Sequence, residues 1–131
     1  MSTAAPFPKE SDTKGAFIRQ TSAFRDRVTA DGSSGFPAAA GRYHLYVSLA
    51  CPWAHRTMIV RMLKGLEDVI SLSVVDPLRD ERGWRFGPDF PDPLRHGWDY
   101  LSEAYAATDP SFDGRVTVPT LWDTVTNRVV N

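Results

Sequence analysis

An α/β domain with a mixed sheet is the fold this sequence predicts, and three observations carry that expectation. A strand, a helix and a second strand follow one another between residues 43 and 75. A hairpin pattern occupies residues 120 to 130. The lone cysteine, Cys51, stands where the first strand turns into the first helix. A strand–helix–strand unit joins parallel strands and a hairpin joins antiparallel ones, so one sheet holding both is mixed.

Residues 1–41 read as an N-terminal arm, rich in Ser, Thr, Ala, Gly and Pro, with a loop at Asp31-Gly32-Ser33-Ser34-Gly35. Phe7, Phe17, Phe24 and Phe36 recur in it. A disordered tail has little use for such aromatics, so the arm is expected to dock on residues 42–131. Tyr43 to Val47 has the aromatic and β-branched content of a strand. Pro52 suits a first helical position, where a missing N–H costs nothing. The spacing then predicts a helix over Trp53 to Lys64, with Met58, Ile59, Met62 and Leu63 on one stripe and Gly65 to end it. Val69 to Val75 reads as the second strand, stopped by Asp76-Pro77.

Residues 76–97 carry Pro77, Pro88, Pro91 and Pro93 and read as a long irregular insertion, a kind of loop that is usually functional. Trp98, Leu101, Ser102 and Tyr105 lie at helical spacing, which predicts a helix from Trp98 to Ala106. Arg115 to Val118 is extended up to Pro119. Thr120–Asp123 and Arg128–Val130 make the hairpin around Asn127. The chain stops at Asn131 directly after a strand. A sheet of this kind needs a helix on each face, so the fold is expected to be truncated before its last helix.

Composition narrows the function classes. The 131 residues carry a formal net charge of -1, so no basic field points to nucleic acid or an anionic membrane. No apolar run nears the ~20 residues needed to span a bilayer, and Met1 to Glu10 does not look like a secretory leader. One Cys excludes an internal disulfide and a Cys-rich zinc site, and fits a reducing compartment, most simply the cytoplasm. With His44, His55 and His96 scattered, no metal-ligand spacing is present and no metal is expected.

Cys51 is the centre of the candidate chemistry. The first N–H groups of a helix are unpaired and carry partial positive charge, which stabilises a thiolate placed before them. His55 lies one turn on, beside Arg56. An inert buried cysteine is the plainer alternative, and a Cys-Pro pair at a strand-to-helix junction weighs against it. For His55 and Arg56 a surface or packing role is the favoured reading. Ala54 stands where two-cysteine redox proteins carry a second Cys, so a disulfide at Cys51 must be mixed, with glutathione the obvious small thiol.

Val118-Pro119 reads two ways: a cis bond in a site-forming turn, or a trans proline at a strand start. In the first case Val118 offers its main chain to a peptide ligand. Trp84, in Gly83-Trp84-Arg85-Phe86, either walls a pocket or packs under the loop, and the residues alone favour packing. Arg115 either pairs with a carboxylate or faces solvent. Trp53, Trp98 and Trp122 read as core.

Several of these segments resemble one family. Arg42-Tyr43-His44-Leu45-Tyr46-Val47-Ser48, Cys51-Pro52-Trp53-Ala54-His55-Arg56-Thr57 and Gly114-Arg115-Val116-Thr117-Val118-Pro119-Thr120-Leu121-Trp122-Asp123 are similar to the glutathionyl-hydroquinone reductases, the xi class of the glutathione transferase superfamily. Gly83-Trp84-Arg85-Phe86 and the Phe-rich arm continue the likeness. The resemblance implies a thioredoxin-like fold, with Cys51 as catalytic nucleophile. It implies Trp84, Arg115, Val116, Thr117 and Val118 as glutathione-binding residues, beside a cis Pro119. It implies reductive removal of glutathione from glutathionyl-hydroquinones, with glutathione as cosubstrate and no permanently bound cofactor. It also implies that the pattern continues past Asn131. A Glu and a Ser there bind the γ-glutamyl end, and an all-helical domain supplies a Tyr, the aromatic pocket and a homodimer interface. A chain ending at Asn131 is then expected to turn over weakly or not at all. The alternatives are an omega-like thiol transferase or dehydroascorbate reductase, and a non-catalytic binding domain.

Overall fold

The computed structural model describes residues 10–131. Phe7 lies outside the described residues. The elements run β1 (Tyr43–Val47), α1 (Pro52–Leu63), β2 (Ile70–Val74), α2 (Ser102–Thr108), β3 (Thr120–Asp123) and β4 (Arg128–Val129). Among the described residues these strands form one sheet in the order β2-β1-β3-β4. β1 runs parallel to β2 and antiparallel to β3, and β3 runs antiparallel to β4, so the sheet is mixed.

The pleat sorts side chains onto two faces. His44, Tyr46, Ser71, Ser73, Thr120 and Trp122 share one face, because His44 pairs with Ser71 and Trp122, and Tyr46 with Ser73 and Thr120. Leu45, Leu72 and Leu121 share the other. α1 packs on this second, apolar face, while α2 and the loop of residues 76–101 cover the first.

α1 does not dock through the stripe its apolar residues suggest. Ile59, Met62 and Leu63 are exposed, and only Met58 of that stripe packs on the core. The sheet-facing positions are Ala54, Thr57, Met58 and Arg61, a set spaced i, i+3, i+4, i+7. Arg61 fastens the helix from this row: its guanidinium donates to Ile70 C=O at 2.7 Å and Glu67 C=O at 3.0 Å. Gly65 ends α1 at φ +65°, with Leu66 N–H on Arg61 C=O and Gly65 N–H on Met62 C=O, the reciprocal pair of a left-handed cap.

α2 starts at Ser102, four residues later than its apolar spacing suggests, and runs to Thr108. Residues 99–101 are spent on an antiparallel bridge: Phe86 N–H donates to Asp99 C=O and Leu101 N–H to Trp84 C=O, both 2.9 Å. Trp98 stacks on His96 at 3.8 Å between centroids and packs edge-on to Trp122. The Glu103 carboxylate takes the Asp99 and Tyr100 N–H groups and so closes the start of the helix.

The segment before β1 makes several contacts with the sheet. Phe24 packs on Tyr105 and Phe112, each 5.3 Å away between centroids. Phe36 is buried with Tyr43 and Val130, while Phe17 is exposed. Arg42 grips the fully buried Asp123 through two 2.8 Å bonds, tying the start of β1 to the end of β3. Burial opposes the Asp123 charge, but the bonds from Arg42, Thr126 and the Val125 N–H prevail and hold its carboxyl down at about 2.

Candidate active site

Cys51 is the N-cap of α1, in extended conformation at φ -108° and ψ 112°. The chain reaches it through a tight connection in which Cys51 N–H donates to Ser48 C=O at 3.1 Å and Ala50 N–H to Ser48 Oγ at 3.2 Å. Pro52 follows at the first helical position, so the thiol stands before a helix start that no side chain caps. Cys51 is free and half-buried.

Across from it runs the segment 115–119. The Val118–Pro119 peptide is cis, which selects the first of its two sequence readings. Cys51 Sγ lies 3.7 Å from Val118 C=O. Thr117 C=O is anchored from the sheet side, by Thr120 Oγ1 at 2.8 Å and the Tyr105 hydroxyl at 3.0 Å. Val118 N–H makes no hydrogen bond within the described residues. An extended peptide lying alongside would find an open main-chain donor there.

Trp84 is 8% exposed, and the Arg79 guanidinium sits 5.3 Å over its ring. Cys51, Trp84, Arg115, Val116, Thr117 and Val118 all line one cleft of about 400 Å³. The residues singled out in the sequence for thiol chemistry and ligand contact thus meet in a single place. Arg19, Arg79 and Arg115 give the cleft three cations against the carboxylate of Glu10, a balance that favours an anionic ligand.

One expectation shifts and another stands. Trp53 is not core: it is 57% exposed, lines the cleft and carries the Arg56 guanidinium 4.4 Å over its ring. It occupies the first turn of α1 on the side away from the sheet, so helical phase, not hydrophobicity, decides its place. His55 and Arg56 are exposed, and among the described residues neither side chain hydrogen-bonds the thiol. Their surface reading holds. No group of three or more metal-ligating side chains occurs among the described residues, and no described helix is long and apolar enough to cross a membrane.

Comparison with known proteins places this geometry. A family model described as glutathione S-transferase, N-terminal domain, matches residues 50–131. The chain belongs to the glutathione S-transferase family. It is 52% identical over 129 residues to glutathionyl-hydroquinone reductase YqjG of Escherichia coli, a match covering 91% of this chain and 39% of that protein. Among solved structures, the glutathione S-transferase Xi of Phanerochaete chrysosporium superposes with a TM-score of 0.84 at 44% identity, over 92% of this chain and 40% of that one. The Xi glutathione transferase ECM4 of Saccharomyces cerevisiae, solved in complex with glutathione, gives a TM-score of 0.83 at 38% identity, over 89% and 43%. The chain spans about two fifths of the length of these relatives.

The thioredoxin-like fold of a glutathione S-transferase N-terminal domain accounts for the cis-proline turn facing a helix N-cap. Sequence reading missed the cleft residues Glu10, Phe17, Arg19, Trp53 and Arg79. Trp53 was within reach, being two positions from Cys51. Arg79 sits in the same loop as Trp84. Glu10, Phe17 and Arg19 come from a segment with no periodicity, and only the path of the chain brings them to Cys51.

Proposed function

We propose that this chain supplies the thiol and the glutathione-binding wall of a glutathione-dependent reductase acting on S-glutathionyl-hydroquinones. The observation that carries the reading is the juxtaposition of one unpaired thiol, at a helix start, with an open main-chain edge beside a cis proline. The name of the Escherichia coli relative and the glutathione complex of the yeast relative support the choice of ligand and reaction.

In this reading the glutathionyl moiety lies along 116–118, with its main chain paired to Val118 and its sulfur at Cys51. Trp84 walls the cleft, and the arginine excess balances ligand carboxylates. The Cys51 thiolate attacks the glutathionyl sulfur and forms an S–S bond as the C–S bond to the ring breaks. The ring carbon takes a proton, and the free hydroquinone leaves. The sulfur pair has given two electrons to the ring, so Cys51 now holds a mixed disulfide with glutathione. A second glutathione thiolate attacks that disulfide, releasing glutathione disulfide and Cys51. The chain holds no second cysteine to intercept the intermediate. The pocket for the ring, and the acid that protonates it, belong in this proposal to the three fifths of such proteins that this chain does not span.

The test is mass spectrometry after exposure to glutathione disulfide, followed by turnover of a glutathionyl-hydroquinone by a protein that includes this chain and the remaining length of its relatives. The expected result is one glutathionyl group on Cys51, reversed by reductant, and release of free hydroquinone. A protein that forms the adduct but acts only on glutathionylated protein disulfides would move the assignment to a thiol transferase.

A further inference from the structure

We propose that Gln20 is a positioning residue for the glutathione wall, a clamp that holds the 115–118 segment opposite Cys51; the inference rests on the functional reading above. Residues 11–23 are exposed with one exception, and that exception is Gln20. Its carboxamide is spent entirely on the main chain of Arg115. Arg115 N–H donates to Gln20 Oε1 at 2.5 Å, and Gln20 Nε2 donates to Arg115 C=O at 2.7 Å. One side chain here satisfies both main-chain groups of a residue 95 positions away, as a neighbouring strand would.

The segment needs such a partner. Residues 115–119 precede β3 and pair with no strand among the described residues. Its far end is fixed through Thr117 C=O. Its near end is fixed on the main chain by Gln20, while Glu10 Oε2 takes the Arg115 guanidinium at 2.6 Å. Between these anchors lie Val116, Thr117 and the open Val118 N–H.

A second observation points the same way. A Cβ on Gly114 would come within 2.8 Å of Gln20 Oε1, and within 3.0–3.1 Å of the Phe112 ring. Glycine at 114 is what lets the Gln20 oxygen reach the Arg115 amide. Position 114 and position 20 therefore serve one contact, although neither bears on the thiol.

The Arg115 main chain is in consequence a fixed support of the wall and not a ligand contact. Loosening it should weaken recognition of glutathione without touching the reactivity of Cys51. The experiment compares the 131-residue chain with Gln20→Ala, Gln20→Glu and Gly114→Ala. Each is assayed for adduct formation with glutathione disulfide over a concentration range. Each is also assayed for alkylation by iodoacetamide, which needs no wall, and for amide hydrogen exchange at Arg115, whose N–H the Gln20 oxygen holds. Gln20→Ala removes two hydrogen bonds and is expected to raise the half-saturating glutathione disulfide concentration about tenfold. Gln20→Glu keeps the acceptor and loses one donor, and should fall between. Gly114→Ala should match Gln20→Ala, and the double variant should be no worse than either, since both break one contact. Alkylation rates should be unchanged, and the Arg115 amide should exchange faster.

A wild-type chain that alkylates normally but takes no glutathionyl group overturns the functional reading, and this inference with it. A wild-type chain that takes it, with an unchanged half-saturating concentration in Gln20→Ala and Gln20→Glu, overturns this inference alone. So does a loss that appears equally in alkylation, which would make Gln20 a general structural residue.

Discussion

Two groups of chemically capable side chains, one under the loop on a face of the sheet and one at the cleft beyond the end of β1, differ in what is left unsatisfied. On the loop-covered face, His44 is clasped by Ser71 Oγ at Nδ1, 2.7 Å, and Ser73 Oγ at Nε2, 2.8 Å. The Tyr46 hydroxyl donates to Asp92 Oδ1 at 2.8 Å, and Asp92 Oδ2 meets His96 Nδ1 at 2.8 Å. Asp92 also takes the Leu94 and His96 N–H groups. Burial pushes His44 down to about 4 and lifts the Tyr46 phenol above its ordinary value. Burial works against the Asp92 charge, yet the Tyr46 and His96 bonds outweigh it and lower its carboxyl. Two His, an Asp and a Tyr resemble a catalytic set, but His44 is spent on two serines of β2, and Tyr46, Asp92 and His96 are spent on holding the loop onto the sheet.

At the Cys51 cleft the inventory is poorer and the bonds are fewer. One thiol makes one long contact to a carbonyl, one main-chain N–H is open, and the space beside them is about 400 Å³. A satisfied polar network stabilises and specifies a fold. A site needs groups whose partners are missing until the ligand arrives.

Substitutions in the two groups should therefore separate function from stability. The largest effect expected is on Cys51→Ala, which should abolish covalent uptake of glutathione completely, as read by intact mass, with a stability change under about 1 kcal/mol. Uptake that persisted in this variant would break the contrast, since the sequence holds no other thiol. Asp92→Ala should do the reverse. It strands the Tyr46 hydroxyl and His96, and should cost about 4 kcal/mol in denaturant unfolding while leaving the alkylation rate of Cys51 unchanged in the folded fraction.

The third effect is on pH dependence. The His44 value in the fold, about 4, lies below its unfolded value of 6.5, so the unfolded chain binds the extra proton between them. Stability should fall as pH drops from about 6.5 through about 4, by at most about 1.4 kcal/mol per pH unit and about 3 kcal/mol in total. Asp92 and His96 face the same ring and modulate the slope, as does Arg61 at longer range. Asp92 and Asp123 lose their own contributions only below about pH 4, where their unfolded forms protonate. His44→Asn should flatten the upper window alone. A smaller effect is expected of Tyr46→Phe, about 1 kcal/mol of stability through the single bond to Asp92. The smallest is on Trp53→Ala. Its stability should shift by no more than about 0.5 kcal/mol because the indole is exposed, yet the half-saturating glutathione disulfide concentration should rise, because the indole lines the cleft.

β1, β2 and the hairpin were legible in the sequence because their signals are local. Tyr43–Val47 is aromatic and β-branched, Ile70–Val74 alternates apolar and polar residues, and Asn127 takes the positive φ of a turn at +53°. Cys51 before Pro52 was legible for the same reason, since a strand end, a cap and a proline are adjacent in the chain. The docking face of α1 was not. Its sheet-facing row, Ala54, Thr57, Met58 and Arg61, is less apolar than the exposed row beside it, and periodicity alone selects the more apolar one. The start of α2 was lost to a competing use of residues 99–101, a bridge from Tyr100 to Arg85 in the loop before it.

The sequence by itself determined a mixed α/β sheet, a single thiol at a helix start and the segments that resemble the xi-class enzymes, because each is written in neighbouring residues. The tertiary structure alone decided that Val118 faces Cys51 across 3.7 Å, that Trp53 belongs to the cleft and not the core, and that Gln20 holds Arg115 from 95 residues away. These depend on how separate segments pack and on which main-chain groups stay unpaired once they have. Neither quantity exists until the chain has closed on itself.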